Sequence, residues 1–155
     1  MKTDSSLLEP PSSFPYSAWI SEPTKTLLVV DDDQVLRQAE ARILCRQGYT
    51  VLQAEGAAQA LRLARQVAAI HLLITDFSMP EVDGLELAHR FRAVHPETPV
   101  LMVSGSLSFL RDKTPDLDRL EFLAKPFLLK ELLQKVRTLL DAAAPLPIRK
   151  PSCCD

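Results

Sequence analysis

No stretch of this sequence approaches the ~20 consecutive apolar residues that a membrane helix needs, so no spanning segment is expected. The first residues, MKTDSSLLEPPSS, have no basic start followed by an apolar run. They therefore do not read as a secretory signal. Cysteine is scarce: Cys45, Cys153 and Cys154 make up the whole set. One falls in a helical pattern and two are adjacent near the end, which is no disulfide framework. A reducing cytoplasm is the expected setting. The net charge is only −2 and there is no basic cluster, so neither nucleic acid nor an anionic membrane is an expected partner. The three histidines, His71, His89 and His95, show no metal-ligand spacing. What remains is ordinary globular material. The chain has 155 residues, 46% hydrophobic and 25% charged, enough for one domain with an unstapled core.

The two ends differ from the middle. Residues 1–24 are rich in serine and proline, with Pro10, Pro11, Pro15 and Pro23, and read as a disordered arm. That arm also carries Phe14, Tyr16 and Trp19, more aromatic material than a plain linker. Residues 142–155 contain Pro145, Pro147 and Pro151 and read as a flexible tail. The folded domain is expected over 25–141. Inside it, short uniformly apolar runs alternate with helical stripes. Leu27–Val30, Val51–Leu52, Leu72–Ile74, Val100–Val103 and Phe122–Leu123 read as strands, mostly of the kind buried on both faces. Between them, Val35, Leu36, Ala39, Ile43 and Leu44 form one helical stripe. Ala57, Ala60, Leu61, Ala64 and Val67 form a second. Leu85, Leu87, Ala88, Phe91 and Val94 form a third. Leu107–Lys113 is a weaker helix, with Pro115 breaking whatever follows. Leu128, Leu129, Leu132, Leu133, Val136, Leu139 and Leu140 make the clearest amphipathic helix. Five strands alternating with helices predict an α/β fold: a parallel sheet with helices on both faces.

In such sheets ligands bind beyond the carboxyl ends of the strands, where strand order reverses. The residues at those ends are therefore the ones to examine. The first strand runs into Asp31, Asp32 and Asp33, and the third into Thr75 and Asp76. The fourth is followed by Ser104, Gly105 and Ser106, and the fifth by Lys125 and Pro126. Taken singly, each has an everyday explanation. The Asp triplet can cap a helix, as Asp33 is expected to do beside Gln34. Asp76 and Ser104 fit turns, and Lys125 fits a solvated surface. Four suitable groups at one sheet edge are harder to ascribe to chance. Clustered carboxylates need a cation, and an all-oxygen set suits magnesium. A lysine and a hydroxyl beside them suit phosphoryl oxygens, and a carboxylate can accept a phosphoryl group covalently.

The segments LLVVDDDQVLR (27–37), LLITDFSMPEVDGLEL (72–87), VLMVSGS (100–106) and FLAKPF (122–127) resemble the response-regulator receiver domain of two-component systems. The resemblance covers nearly all of 26–140. It implies a flavodoxin-like, doubly wound five-stranded parallel sheet. It further implies that Asp76 is the phosphoacceptor, and that Asp31, Asp32, Asp76 and the backbone carbonyl of Ser78 hold Mg2+. Ser104 and Lys125 would bind the phosphoryl group, Phe122 would be the switch aromatic, and Pro126 would follow a cis peptide bond. The implied function is that of a stand-alone response regulator in a phosphorelay. Its partners would be a sensor histidine kinase or a histidine phosphotransfer protein upstream. Downstream, a target protein would meet the face built by the fourth helix, fifth strand and fifth helix. The only chemistry implied is the domain's own phosphorylation and dephosphorylation. Two alternatives stand beside this. One is an interaction module on the same fold that works without phosphorylation. The other is a haloacid-dehalogenase-like phosphatase with Asp31 as nucleophile, although the additional acidic pair of that family has no counterpart after Lys125.

Overall fold

The computed structural model describes residues 24–113 and 119–143. The arm and tail expected at 1–24 and 142–155, including Trp19, Cys153 and Cys154, lie almost wholly outside those residues, as does Pro115. Ten elements alternate: β1 (Thr26–Val30), α1 (Gln34–Arg46), β2 (Thr50–Ala54), α2 (Ala57–Gln66), β3 (Leu72–Asp76), α3 (Gly84–Val94), β4 (Val100–Ser104), α4 (Leu107–Lys113), β5 (Leu120–Ala124) and α5 (Leu129–Ala142). The strands form one sheet in the order β2-β1-β3-β4-β5, and every pair is parallel. The sequence-based fold is therefore the observed one.

Both faces of the sheet are covered, which explains the uniformly apolar strands. Leu28, Val30, Leu73, Val100 and Met102 point to one side. There they meet Ala57, Ala60, Leu61 and Ala64 of α2, Leu87, Ala88 and Phe91 of α3, and Leu110 of α4. Leu27, Val29, Leu72, Ile74, Leu101 and Val103 point to the other, against Leu44 of α1 and Leu132, Val136, Leu139 and Leu140 of α5. A single strand thus feeds two cores by its period-two alternation. Fully buried Phe91 alone contributes ~1.5–3 kcal/mol of transfer free energy.

One predicted stripe is wrong. In α1 the inward residues are Glu40, Ala41 and Leu44, whereas Val35 is 76% exposed and Leu36 also faces solvent. The helix is rotated because its start is fixed by polar bonds. Asp33 caps it, accepting from the N–H groups of Val35 and Leu36 at 2.9 and 3.3 Å. The Arg37 guanidinium, one turn on, donates to the Asp31 carbonyl at 2.6 Å. These ties turn Arg37 and Glu40 toward the sheet edge.

Strand order reverses between β1 and β3. Their carboxyl ends carry Asp31, just past Val30, and Asp76, the last residue of β3. The register sets the other two ends beside them: Asp76 pairs with Val103, and Ser104 with Ala124.

Candidate functional site

The loops after β1 and β3 fold so that three carboxylates converge. Oxygen atoms of Asp31, Asp32 and Asp76 all lie within 4.8 Å of one another. Asp31 is 3% exposed and Asp76 8%, whereas Asp32 is exposed. Lys125 reaches in from the end of β5. Its Nζ stands 3.1 Å from Asp76 Oδ1 and 3.6 Å from Asp31 Oδ2. One ammonium thus faces three carboxylates, and the surplus of negative charge favours a further cation. The donors are hard oxygens only, a set that suits magnesium rather than a thiolate- or imidazole-seeking metal.

Each group is held by its element. Asp31 Oδ1 accepts from the Asp33 N–H at 2.8 Å, which fixes its rotamer. The Thr75 hydroxyl donates to the Asp76 carbonyl at 3.0 Å, and the Phe77 N–H donates to the Val103 carbonyl at 2.9 Å, extending the ladder one residue past β3. The loop then turns back: the Gly84 N–H donates to the Phe77 carbonyl at 2.9 Å. This closure requires glycine. A Cβ on Gly84 would stand 2.4 Å from the Asp76 carbonyl oxygen and 3.0 Å from the Phe77 Cα. Asp83 begins α3 by accepting from the Glu86 N–H at 2.9 Å. In the same loop Glu81 adopts a left-handed φ of 69°.

Ser104 is buried, and its hydroxyl oxygen accepts from the Ser106 N–H at 3.1 Å. Its carbonyl accepts from the Lys125 N–H at 2.9 Å, so β4 and β5 carry these two side chains together. The Lys125–Pro126 peptide bond is cis. Phe122 lies farther down β5, opposite Met102, half-buried against the α2–α3–α4 core. Ser78 is exposed in the β3–α3 loop, two residues past Asp76. Asp31, Asp32, Asp76 and Lys125 are therefore gathered into one pocket, with Ser104 on the adjoining strand end. Phe122 sits to one side.

Burial pushes the Asp31 carboxyl above the usual aspartate range, and the charges of Asp76 and Asp32 add to this against the Asp33 N–H and Lys125. For Lys125, burial acts to lower the ammonium. The bond to Asp76 and the charges of Asp31, Asp76 and Glu40 outweigh it, so the net shift is upward. Glu40 is the group that sequence reasoning missed. It is a charged residue on α1, only 5% exposed, and burial followed by repulsion from Asp31 raises it to about 7. A helical stripe of apolar residues gives no signal for such a residue. Gly84 was visible as part of the β3–α3 segment, but its contact with Asp76 was not.

A doubly wound sheet with an acidic trio and a lysine at its switch point is an α/β domain with its candidate site where ligands bind in that topology. The sequence pattern of the response regulator receiver domain matches residues 27–137, and the chain belongs to that family. Sensor kinase CckA of Brucella abortus is 34% identical over 119 residues, which is 75% of this chain and 12% of CckA. The response regulator receiver protein CpdR of the same organism is 31% identical over 120 residues, covering 77% of this chain and 99% of CpdR. Among solved structures, the chemotaxis protein CheY4 of Vibrio cholerae is 27% identical with a TM-score of 0.71, covering 76% of this chain and all of that one. Among the described residues no helix is long and apolar enough to cross a membrane.

Proposed function

We propose that this chain accepts a phosphoryl group on the carboxylate of Asp76 from a phosphohistidine of a sensor histidine kinase or a histidine phosphotransfer protein. The observation that carries this reading is the 3.1 Å approach of the Lys125 ammonium to the Asp76 carboxylate, with Asp31 and Asp32 clustered beside them. An Asp76 oxygen attacks phosphorus, the phosphorus–nitrogen bond breaks, and the imidazole leaves with the electron pair. Lys125, already at the acceptor, neutralises charge on the transferred group. Ser104 supplies a hydroxyl to a second phosphoryl oxygen once it gives up its bond from the Ser106 N–H.

Asp31, Asp32, Asp76 and the carbonyl of Ser78 would hold Mg2+, which when bound would supply positive charge to offset that of the carboxylates and the transferred phosphoryl group. The phosphorylated site draws on Ser104, and the half-buried Phe122 moves with it. The surface of α4, β5 and α5 then changes for a downstream protein. The receiver unit is residues 25–141, working in the cytoplasm, and the only reactions it promotes are its own phosphorylation and dephosphorylation. A phosphatase with Asp31 as nucleophile is disfavoured. That carboxylate is 3% exposed and one oxygen is committed to the Asp33 N–H.

The test is phosphotransfer from a cognate histidine kinase in magnesium buffer. Wild type should be labelled, and the label should be lost on chelation and in Asp76→Asn. Full labelling of Asp76→Asn would overturn the assignment.

A further inference from the structure

We propose that Glu40 is a positioning residue for Lys125, an inference that rests on Mg2+ binding and phosphoacceptance at this site. Its carboxylate takes the place of Asp31 beside the ammonium when a magnesium ion occupies the acidic trio, and so keeps Lys125 on Asp76. Glu40 lies on the inward face of α1 with Ala41 and Leu44 and is only 5% exposed. Among the described residues, no hydrogen bond or ion pair engages its carboxylate. Arg37, one turn earlier on the same helix, is committed to the Asp31 carbonyl. Helix positions that face a core are ordinarily apolar, and a carboxylate withdrawn from water without a partner is costly. The charges that act on Glu40 are those of Asp31, Lys125 and Asp76, which places this unpartnered group at the candidate site rather than elsewhere in the core.

Lys125 is the group that can use it. An ammonium has three N–H donors. Its Nζ stands 3.1 Å from Asp76 Oδ1, a hydrogen-bonding distance, and 3.6 Å from Asp31 Oδ2, a looser ion pair. Asp31 and Asp76 are also candidate metal ligands. Asp76 has two oxygens, one for each cation, so the competition falls on Asp31. Like charges a few ångströms apart repel strongly at a partly buried site. Without another acceptor, the ammonium would be driven out toward solvent, which its side chain, 28% exposed, already touches. Glu40 offers the alternative. The carboxylates that act on Lys125 are Asp31, Asp76 and Glu40, and Glu40 is the one among them that is not a candidate metal ligand. The long flexible stem of lysine lets the ammonium turn from Asp31 toward α1 while one donor stays on Asp76. The exchange replaces one ion pair by another and gives the buried Glu40 charge a partner.

The test is a double-variant cycle on magnesium affinity, measured by calorimetry on the full chain with no phosphodonor. At about pH 8 the Glu40 carboxyl, raised to about 7, is charged. Glu40→Gln removes that charge and keeps the shape of the side chain. Part of the resulting loss in affinity is the loss of a nearby negative charge, and that part is the same with or without Lys125. The part that acts through the lysine is not. The loss should be about fivefold larger in the chain that has Lys125 than in the Lys125→Gln background, as for groups in one ion-pair network. Equal losses in the two backgrounds would overturn the proposal, and so would a larger loss without the lysine. A second readout uses the unsubstituted chain and needs no variant to fold. In isotope-labelled protein, a coupling across the hydrogen bond from Lys125 Nζ to the Glu40 carboxyl carbon should appear by NMR on adding magnesium, while coupling to the Asp76 carboxyl carbon persists. Magnesium-loaded protein without the Glu40 coupling would also overturn it. A wild-type chain that binds no magnesium would refute the metal assignment and Glu40 positioning together. Magnesium binding with additive variants would refute the Glu40 role alone and leave phosphoacceptance at Asp76 standing.

Discussion

Replacing Gly84 by alanine should damage both the fold and the site. The added Cβ would lie 2.4 Å from the Asp76 carbonyl oxygen, 3.0 Å from the Phe77 Cα and 3.1 Å from the Asp76 carbonyl carbon. The first of these is about 0.6 Å inside the 3.0 Å limit that real Cβ atoms respect. All three neighbours are backbone, so no side chain can swing away, and β3 must separate from the start of α3. Overpacking of this kind costs ~1–3 kcal/mol. Alanine recovers at most ~1 kcal/mol over glycine as a helix residue, and less at the first position of α3. The net loss should be about 1–2 kcal/mol. With a urea m-value of ~1–3 kcal/mol/M, the midpoint should fall by roughly 0.5–1 M. The strain falls on the residue that carries the acceptor. A displacement of a few tenths of an ångström at Asp76 should slow magnesium-dependent phosphorylation by acetyl phosphate about tenfold. Urea titration and initial labelling rates check the two effects separately. A variant with the wild-type midpoint and wild-type labelling rate would refute the close-approach reasoning.

Three other perturbations have defined outcomes. Folded Glu40 holds its proton up to about pH 7, whereas its ordinary value is 4.5. Between those values the folded state binds the extra proton, so this group makes stability fall as pH rises through that window. In magnesium-free buffer, Glu40→Gln should therefore be more stable than wild type by ~1–3 kcal/mol at about pH 8 and nearly equal at about pH 4.5; equal curves at both would contradict it. Lys125→Gln removes the ammonium 3.1 Å from Asp76 and should tighten magnesium binding by about an order of magnitude by calorimetry, while slowing phosphorylation. Weaker magnesium binding would count against the charge balance described for the pocket. Glu81 holds a left-handed φ of 69°, and Glu81→Gly should raise stability by ~0.5–1 kcal/mol in urea titration; a loss would show that the side chain compensates for its backbone.

The strands and the strand-end residues were legible because both rest on local rules. A strand covered on two faces must be apolar along its middle, and Leu27–Val30 of β1, Leu72–Ile74 of β3 and Val100–Val103 of β4 are, with polar residues only at the strand ends. Ligand groups in a parallel sheet must follow the strands, which led to Asp31, Asp32, Asp76, Ser104 and Lys125 without any contact map. Asp33 was readable as a cap because it stands next to Gln34. What escaped depends on tertiary ties. The rotation of α1 is set by Asp33 and by the bond from Arg37 to the Asp31 carbonyl, so Val35 and Leu36, the most obvious apolar pair, face solvent. The same rotation buries Glu40, which no apolar stripe would place inside. The need for glycine at 84 comes from the Asp76 carbonyl across the loop, a contact between residues eight apart in sequence.

The central claim is that Asp76, and no other carboxylate of the pocket, receives the phosphoryl group. The direct measurement is to phosphorylate the full chain in magnesium buffer, reduce the acyl phosphate with borohydride, and locate the reduced residue by peptide mass spectrometry. The account predicts reduction at Asp76 alone, abolished when magnesium is chelated. Reduction at Asp31, or at no aspartate of the pocket, would contradict it.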